Sequence, residues 1–209
     1  MMRGLMMELK AENISFSYHK KKPILKDVSL SLNSNQIIGL IGDSGSGKST
    51  LCKIISGYIS NYTGEVTIDG NSVNRNGYDP IQLIFQHPEK TMNPKWKMEK
   101  VLRESWIPPQ NLKDTFGLKD NWLTRWPSEL SGGELQRFSI LRALNPQTKF
   151  IIADEISTML DAVTQVQIWE ALIKHCKANN IGILAVSHDK DLLDVICDDI
   201  LYFNEINHL

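Results

Sequence analysis

A short apolar run that leads directly into a glycine-rich segment constrains the fold of this chain more than any other feature of its sequence. Residues 37–41 are Ile-Ile-Gly-Leu-Ile. Such a run, with no polar alternation, predicts a central β-strand that is covered on both faces. Residues 42–50 read Gly-Asp-Ser-Gly-Ser-Gly-Lys-Ser-Thr, and residues 51–56 have the apolar spacing of a helix that Gly57 is expected to end. The sequence therefore predicts a strand, a glycine loop (residues 42–47) and a helix in direct succession.

The glycine loop and the two residues after it match the pattern Gly-x-x-x-x-Gly-Lys-Ser of phosphate-binding loops, in the strand-to-helix context that the pattern requires. Glycines let successive backbone N–H groups turn towards phosphate oxygens, and the helix N-terminus adds its positive end. Lys48 is expected to contact the β and γ phosphates, and the Ser49 hydroxyl to bind Mg²⁺. A chance match in a chain of this length has a probability on the order of 1%. The predicted nucleotide-binding residues here are Gly42, Asp43, Ser44, Gly45, Ser46, Gly47, Lys48, Ser49 and Thr50.

Two carboxylates follow a second apolar run, residues 150–153, which predicts another buried strand. Asp154 and Glu155 come directly after it, at the edge where open α/β sheets bind ligands. We expect Asp154 to hold Mg²⁺ through water and Glu155 to activate a water molecule in line with the γ phosphate. Alone, such a pair is equally compatible with a helix-capping turn. Together with the glycine loop it predicts nucleotide hydrolysis.

The segment Leu-Ser-Gly-Gly-Glu-Leu-Gln-Arg at residues 130–137 is the most specific motif of the chain. Ser131 is suited to cap the following helix, and Gly132 and Gly133 expose backbone donors at its positive end. The sequence thus contains a second phosphate-recognising helix terminus. One glycine loop needs only one such terminus for its own nucleotide, so the second suggests a nucleotide delivered by another subunit.

Strands alternate with helices along most of the chain, which predicts a mainly parallel sheet. Half-buried strands are predicted at residues 7–18 and 25–32, further strands at 64–70, 81–85 and 182–186, and helices at 165–178 and 190–197. Between residues 88 and 142, prolines interrupt short helical pieces and four of the five tryptophans occur, at Trp96, Trp106, Trp122 and Trp126. This segment predicts a small helical subdomain whose tryptophans pack in the core or against a partner, or act as ligand platforms.

Composition narrows the possible functions. The chain of 209 residues is 42% hydrophobic with a net charge of -1, so it has no overall attraction to nucleic acid or to an anionic membrane. Its three cysteines match neither a disulfide framework nor a zinc site, which favours a reducing cytosol. The segment 1–7 lacks the apolar core of a signal peptide, and no apolar run approaches the length that spans a bilayer. Membrane attachment is therefore expected through partners, and the basic turn at residues 19–22 is interpreted as solvated.

In their order along the chain, these motifs resemble those of the nucleotide-binding subunit of an ABC (ATP-binding cassette) transporter. The resemblance implies an α/β fold, a P-loop NTPase cassette with a mainly parallel core sheet, an N-terminal antiparallel β subdomain and a small helical subdomain. One cassette is expected over residues 7–209, with the helical subdomain inserted at about 88–142. Two such domains would hold two ATP molecules between them, each bound by the glycine loop of one and by residues 131–133 of the other.

The resemblance also implies roles for four further residues. Tyr18 lies where the family has its adenine-stacking aromatic, and Gln86 resembles the glutamine that touches Mg²⁺ or water and signals to the membrane partner. Asp161 resembles the nucleotide-site aspartate of the family's D-loop, and His188 the histidine that donates to the γ phosphate. Taken singly, these residues have simpler interpretations, as a strand aromatic, a turn residue, a helix cap and a loop histidine. Their occurrence in family order favours the functional interpretation.

Two departures from the family pattern follow the predicted catalytic carboxylate. Ile156 stands where the family commonly has proline, and residues 158–161 read Thr-Met-Leu-Asp where an Ala-Leu-Asp ending is more usual. Neither change removes a catalytic group, so hydrolysis is expected to be retained.

The segment Phe-Gln-His-Pro-Glu-Lys-Thr-Met-Asn-Pro-Lys at residues 85–95 resembles a stretch typical of the oligopeptide, dipeptide and nickel importer ATPases. This resemblance implies permease subunits, an extracytoplasmic solute-binding protein, and a second ATPase that is either a different chain or another copy of this one. The expected location is the cytoplasmic face of the membrane, without a nucleic-acid partner. Peptides, nickel and metal chelates all stay open as the solute. Many members of this branch carry a C-terminal extension, so this chain is expected to be a minimal version.

Other classes of ATPase explain less of the sequence. A soluble ABC ATPase of translation usually carries two cassettes in one chain, and a DNA-repair or chromosome ATPase inserts long coiled coils between the glycine loop and residues 130–137. This sequence has one cassette and no heptads there. A nucleoside kinase or another simple P-loop enzyme would explain the glycine loop but not the second phosphate-recognising terminus.

Overall fold

The computed structural model describes residues 6–19, 22–158 and 160–209. The strands along these residues are β1 (Glu8–Phe16), β2 (Leu25–Asn33), β3 (Ile37–Ile41), β4 (Thr63–Ile68), β5 (Asn71–Ser72), β6 (Ile81–Ile84), β7 (Phe150–Asp154), β8 (Gly182–Ser187) and β9 (Asp199–Tyr202). The α-helices are α1 (Lys48–Ile55), α2 (Met98–Arg103), α3 (Gln110–Thr115), α4 (Gly132–Ala143), α5 (Ala162–Ala178), α6 (Lys190–Ile196) and α7 (Phe203–Ile206). Parts of three predictions lie outside the described residues, namely the N-terminal segment up to residue 5, Lys20 and Lys21 of the basic turn, and Met159 of the D-loop.

Five strands form a parallel sheet in the order β6-β7-β8-β3-β9. Successive side chains of a strand point to opposite faces, and both faces of this sheet are covered. On β7, Ile151 packs into one hydrophobic cluster with α4 and α5, whereas Ile152 packs into the other, with α1 and the second sheet. The apolar runs therefore form a buried parallel core, as the sequence predicts.

The second sheet is antiparallel, with the strand order β2-β1-β4-β5. Leu9 on β1 and Leu32 on β2 are opposite each other and fully buried, in the cluster that also contains Leu51 of α1. The outward positions of β2 are exposed, so its side chains alternate between core and solvent. This sheet covers α1 and one face of the parallel sheet, which confirms the predicted N-terminal antiparallel unit.

Short helices and 3-10 turns fill the segment between β6 and β7, as the prolines of this segment predict. Trp122 is buried there, and Trp96 and Trp106 pack at the edge of the same cluster. Trp106 also donates its Nε1 proton to the Leu141 carbonyl at 2.8 Å. Trp126 differs, because its side chain is 40% exposed. Core packing thus accounts for three of these four tryptophans.

Sequence periodicity missed the elements that follow α6. The apolar spacing predicts a last helix over residues 190–197, but α6 ends at Ile196 and is followed by β9 and α7. β9 is an edge strand with exposed ends, and it lacks the continuous apolar run that marks the central strands. The prediction for α5 is wrong at its start: this helix begins three residues before Gln165, because the Asp161 carboxylate accepts the Thr164 N–H and caps it.

None of the helices that the structure describes has both the length and the apolar character needed to cross a membrane.

A buried hydrogen bond fastens the loop after β7 to α5. Trp169 Nε1 donates to Ser157 Oγ at 3.1 Å, and both residues are buried. Ser157 lies two residues after Glu155, and between them stands Ile156, whose φ is less restricted than that of the proline common in the family that the motifs resemble. The Trp169 side chain therefore helps to fix the loop after β7, whose backbone is not restricted by a proline at position 156.

Replacing Trp169 with Phe is expected to lower the free energy of unfolding by about 1–2 kcal/mol, because the buried Ser157 hydroxyl loses its partner and the ring loses volume. Trp126→Phe, at an exposed tryptophan, is the matched control and should change it by less than about 0.5 kcal/mol. Denaturant unfolding of the three proteins measures both values. An equal loss of unfolding free energy in the two variants would contradict the stabilising role assigned to the hydrogen bond between Trp169 and Ser157.

Candidate functional site

The topology of the parallel sheet brings most of the predicted site residues to one edge. The glycine loop follows β3, Asp154 ends β7 with Glu155 directly after it, His188 follows β8 and Gln86 lies just after β6. These four strands are consecutive in the sheet and parallel, so their carboxyl ends meet. This is the edge at which open α/β sheets bind ligands.

The glycine loop is closely packed on both sides. Gly47 caps α1 with a φ of 116°, a conformation that strains any residue with a Cβ. A Cβ at Gly47 would also lie 3.1 Å from the Ile24 carbonyl oxygen, and one at Gly42 would lie 2.9 Å from Phe203 Cβ. Both glycines are therefore required by the surroundings of the loop as well as by its turn.

Two polar side chains inside the loop fit a phosphate group. Lys48 is 5% exposed, and its Nζ donates to the Gly42 and Asp43 carbonyls, each at 2.7 Å. Within the described part of the chain, Ser46 Oγ is buried and has no hydrogen-bond partner. A buried hydroxyl without a partner is unfavourable, so an oxygen bound in the loop would satisfy it. The loop thus combines a cation, an available hydroxyl and the N-terminus of α1.

The residues predicted to hold Mg²⁺ converge as well. Ser49 Oγ donates to Asp154 Oδ1 at 3.2 Å, and both residues line a cleft of about 530 Å³ together with Gln86. Burial raises the pKa of the Asp154 carboxyl, while its hydrogen bond from Ser49 acts in the opposite direction. Hydroxyl, carboxylate and amide oxygens are hard donors of the kind that Mg²⁺ prefers. The donor set therefore fits the ion.

Glu155 lies at the centre of the predicted catalytic group. Its Oε2 accepts the Gln86 Nε2 hydrogen at 2.9 Å, and its Oε1 lies 3.5 Å from His188 Nδ1. The backbone at Glu155 has a φ of 50°, which is unusual for a residue with a side chain and common at functional sites. Gln86 also donates to Thr158 Oγ1 at 3.3 Å, a contact that no sequence motif predicts.

Tyr18 lies beside the start of α1. Its hydroxyl is 3.3 Å from Thr50 Oγ1, and its ring packs edge-on against Phe16 with a centroid separation of 4.8 Å. The residue is 55% exposed, so more than half of its surface is accessible to a ligand. The strand-aromatic interpretation does not account for the residue, because β1 ends at Phe16.

The second helix terminus has the cap that the sequence predicts. Ser131 Oγ accepts the Glu134 N–H at 3.3 Å, and Glu134 Oε2 accepts the Ser131 N–H at 2.8 Å. Gly132 and Gly133 form the first turn of α4 and line a cleft of about 540 Å³ together with Asp161. The carboxylate of Asp161 caps α5, and hydrogen bonds from Thr164 lower its pKa. Among the described residues, none of the glycine loop lines this cleft.

Sequence reasoning missed the residues after β9. Phe203, Asn204 and Asn207 line a cleft of about 750 Å³ together with Gly42 and Ser46. No motif marks this segment, and its contacts are with residues far away in the sequence. A motif search therefore has no local signal from which to find it.

Comparison with known proteins agrees with the family that the sequence motifs resemble. The ABC transporter family model matches residues 25–158. The nickel import system ATP-binding protein NikE of Staphylococcus aureus (strain bovine RF122 / ET3-1) is 32% identical over 213 residues, which covers 96% of this chain and 87% of that protein. The NikE protein of strain N315 gives the same identity and coverage.

Solved structures agree with the sequence relatives. A dimeric structure of MJ0796, described as a bacterial ABC transporter cassette, matches with a TM-score of 0.77 at 25% identity and covers 93% of each chain. A putative ABC transporter ATP-binding protein from Pyrococcus furiosus matches with a TM-score of 0.74 at 18% identity, over 96% of this chain and 99% of that one. At 18% identity, the similarity to the Pyrococcus furiosus protein supports only the fold. The chain therefore belongs to the ABC transporter family and is an ATPase of that family.

Proposed function

We propose that residues 7–209 form one cassette, with a helical subdomain at 88–142, and that it is the ATP-hydrolysing subunit of a multi-subunit ABC importer. The observation that carries this proposal is the separation of two phosphate-recognising ends in one chain. The glycine loop and the Ser131–Gly133 terminus line different clefts among the described residues. A nucleotide on the loop would then be completed by the Ser131 terminus of a second ATPase, either a different chain or another copy.

The phosphates of ATP would bind at the glycine loop, where the Lys48 ammonium and the backbone N–H groups at the start of α1 favour negative charge. The ring of Tyr18 would stack on the adenine, and its neighbour Thr50, 3.3 Å from the Tyr18 hydroxyl, would contact the nucleotide. From a second subunit, Gly133 and Asp161 would approach the same nucleotide. All of these contacts bind ATP and orient its γ phosphate.

The Glu155 carboxylate would accept a proton from the attacking water molecule, and His188 would donate a hydrogen bond to the γ phosphate. Ser49, Asp154 and Gln86 would hold Mg²⁺, which supplies positive charge against the phosphate oxygens. The bond from Gln86 to Glu155 supports a role for Gln86 in communication with the permease. A displacement of Gln86 would change the hydrogen bonding of the proposed base directly.

The proposed solute is a peptide, nickel or a metal chelate. Two observations support this class: the 32% identity with nickel import ATP-binding proteins and the importer-like segment at residues 85–95. In this proposal ATP binding closes two cassettes, closure switches the access of the permease, and hydrolysis resets it. The permease and an extracytoplasmic solute-binding protein select the solute, and the permease holds the ATPase at the cytoplasmic face of the membrane.

Replacing Lys48 with Ala is expected to weaken ATP binding by roughly tenfold to a hundredfold, because a charge-assisted contact with the phosphates is lost. Lys174→Ala removes the same charge from an exposed position of α5 and should leave the affinity unchanged. Titration with a fluorescent ATP analogue measures both. Undiminished binding in the Lys48 variant would contradict the phosphate role.

Glu155→Gln is expected to lower ATP hydrolysis by at least about 100-fold, because the amide cannot accept a proton from water, while ATP binding is retained. Glu170→Gln, at an exposed position of α5, is the matched control and should hydrolyse ATP normally. Phosphate release at saturating ATP measures the rates. A variant at position 155 with full activity would refute the assignment of the base.

The partners can be identified by trapping a tagged Glu155→Gln chain with ATP in mild detergent. We expect mass spectrometry to find polytopic permeases together with a second ATPase subunit. Deletion of those permeases should then abolish uptake of radiolabelled nickel or of a labelled peptide, which separates the two solute classes. Recovery of ribosomes or DNA-repair proteins without a permease would instead favour a soluble ABC ATPase.

A further inference from the structure

We propose that Asn207 is a positioning residue for nucleotide binding, acting through the backbone of residues 24–26, of which Ile24 and Leu25 lie against Gly47 of the glycine loop. The inference rests on the proposed binding of ATP at that loop. It concerns a residue that lies outside every motif of the chain. Asn207 follows α7 and is partly buried against β2.

Both ends of the Asn207 amide are bonded to one short backbone segment. Its Oδ1 accepts the Lys26 N–H at 2.9 Å, and its Nδ2 donates to the Ile24 carbonyl at 3.1 Å. The next residue reinforces the contact, because His208 N donates to the Lys26 carbonyl at 3.1 Å. An amide can satisfy an N–H and a C=O at once in only one orientation, so these bonds fix residues 24–26 relative to α7.

The clamped segment is in direct contact with the last glycine of the loop. A Cβ at Gly47 would lie 3.1 Å from the Ile24 carbonyl oxygen and 3.1 Å from Ile24 Cγ2. That carbonyl is the same group that accepts the Asn207 hydrogen bond. Gly47 in turn caps α1, whose N-terminus is the proposed phosphate site. A shift of Ile24 would therefore change the space and the geometry available to the loop at Gly47.

The same segment extends to the proposed adenine side of the site. Ile24 N donates to the Phe16 carbonyl at 2.9 Å, and the Phe16 ring packs edge-on against Tyr18. Tyr18 contacts Thr50 at the start of α1. Residues 24–26 are thus connected by direct contacts to the phosphate end and to the base end of the nucleotide site.

The helix that presents Asn207 also braces the first glycine of the loop. Phe203 begins α7, is 1% exposed, and its Cβ lies 2.9 Å from where a Cβ would stand at Gly42. Asn207 N donates to the Phe203 carbonyl at 3.0 Å, so the two contacts belong to one rigid turn. One short helix therefore supports the glycine loop at both ends, directly at Gly42 and through Asn207 and Ile24 at Gly47.

Asn207→Ala in the full chain tests this role. We expect the dissociation constant of a fluorescent ATP analogue to rise about fivefold or more, since the two hydrogen bonds that position residues 24–26 are lost. Binding is measured at a temperature where circular dichroism shows every variant folded. His208→Ala is the matched control: its bond to Lys26 comes from the backbone and persists, so the dissociation constant should stay within about twofold.

A second variant and a kinetic readout separate positioning from general stability. Asn207→Asp keeps an acceptor for the Lys26 N–H but loses the donor to Ile24, so it should bind the analogue as weakly as the alanine variant. In steady-state hydrolysis, we expect Asn207→Ala to raise KM for ATP with kcat unchanged at saturation.

The outcomes are distinguishable. A wild-type chain that fails to bind the analogue would overturn the proposed function and this inference with it. Normal binding by the wild type with an equal dissociation constant in Asn207→Ala would overturn the inference alone. An equal loss in the His208 variant would also overturn it, because the effect would then belong to the segment as a whole.

Discussion

Parallel pairing of β6, β7, β8 and β3 is the constraint on which the site depends. Each of these strands ends in a residue or loop proposed to act on ATP, and the pairing places those four ends side by side. The pairing itself is stabilised by apolar side chains on both faces of the sheet. The site is therefore assembled by the core, although its polar residues lie far apart in the sequence.

In the proposed function, one chain carries two separate halves of a nucleotide site. The N-termini of α4 and α1 both direct backbone N–H groups outward, yet the Ser131 terminus and the glycine loop line different clefts among the described residues. In the proposed pair of ATPases, each half of the site would recognise the other through the ATP bound between them. Association of the two proposed subunits would then follow the nucleotide cycle.

Local interactions explain which features the sequence could predict. The turn at Gly47 and the reciprocal cap between Ser131 and Glu134 depend on residues a few positions apart, so their motifs identify them. The pairing of Ser49 with Asp154 spans 105 positions, and it was predictable because each residue follows an apolar run that marks a strand of the parallel sheet, whose carboxyl ends meet at one edge. The segment that carries Asn207, whose amide binds Ile24 and Lys26, and the edge strand β9 have neither a motif nor a strong apolar pattern. Their positions are set by tertiary contacts that no local pattern encodes.

The glycine loop is held in shape by contacts within its own chain, through Lys48 inside it and through Ile24 and Phe203 on its flanks. A binding element that is already rigid loses little conformational entropy when it takes up its ligand. Less of the free energy of ATP binding is then consumed in ordering the loop. In the proposed importer the remainder would be available as mechanical work between subunits, so the stiffness of a six-residue turn would bear on how efficiently the protein converts chemical energy.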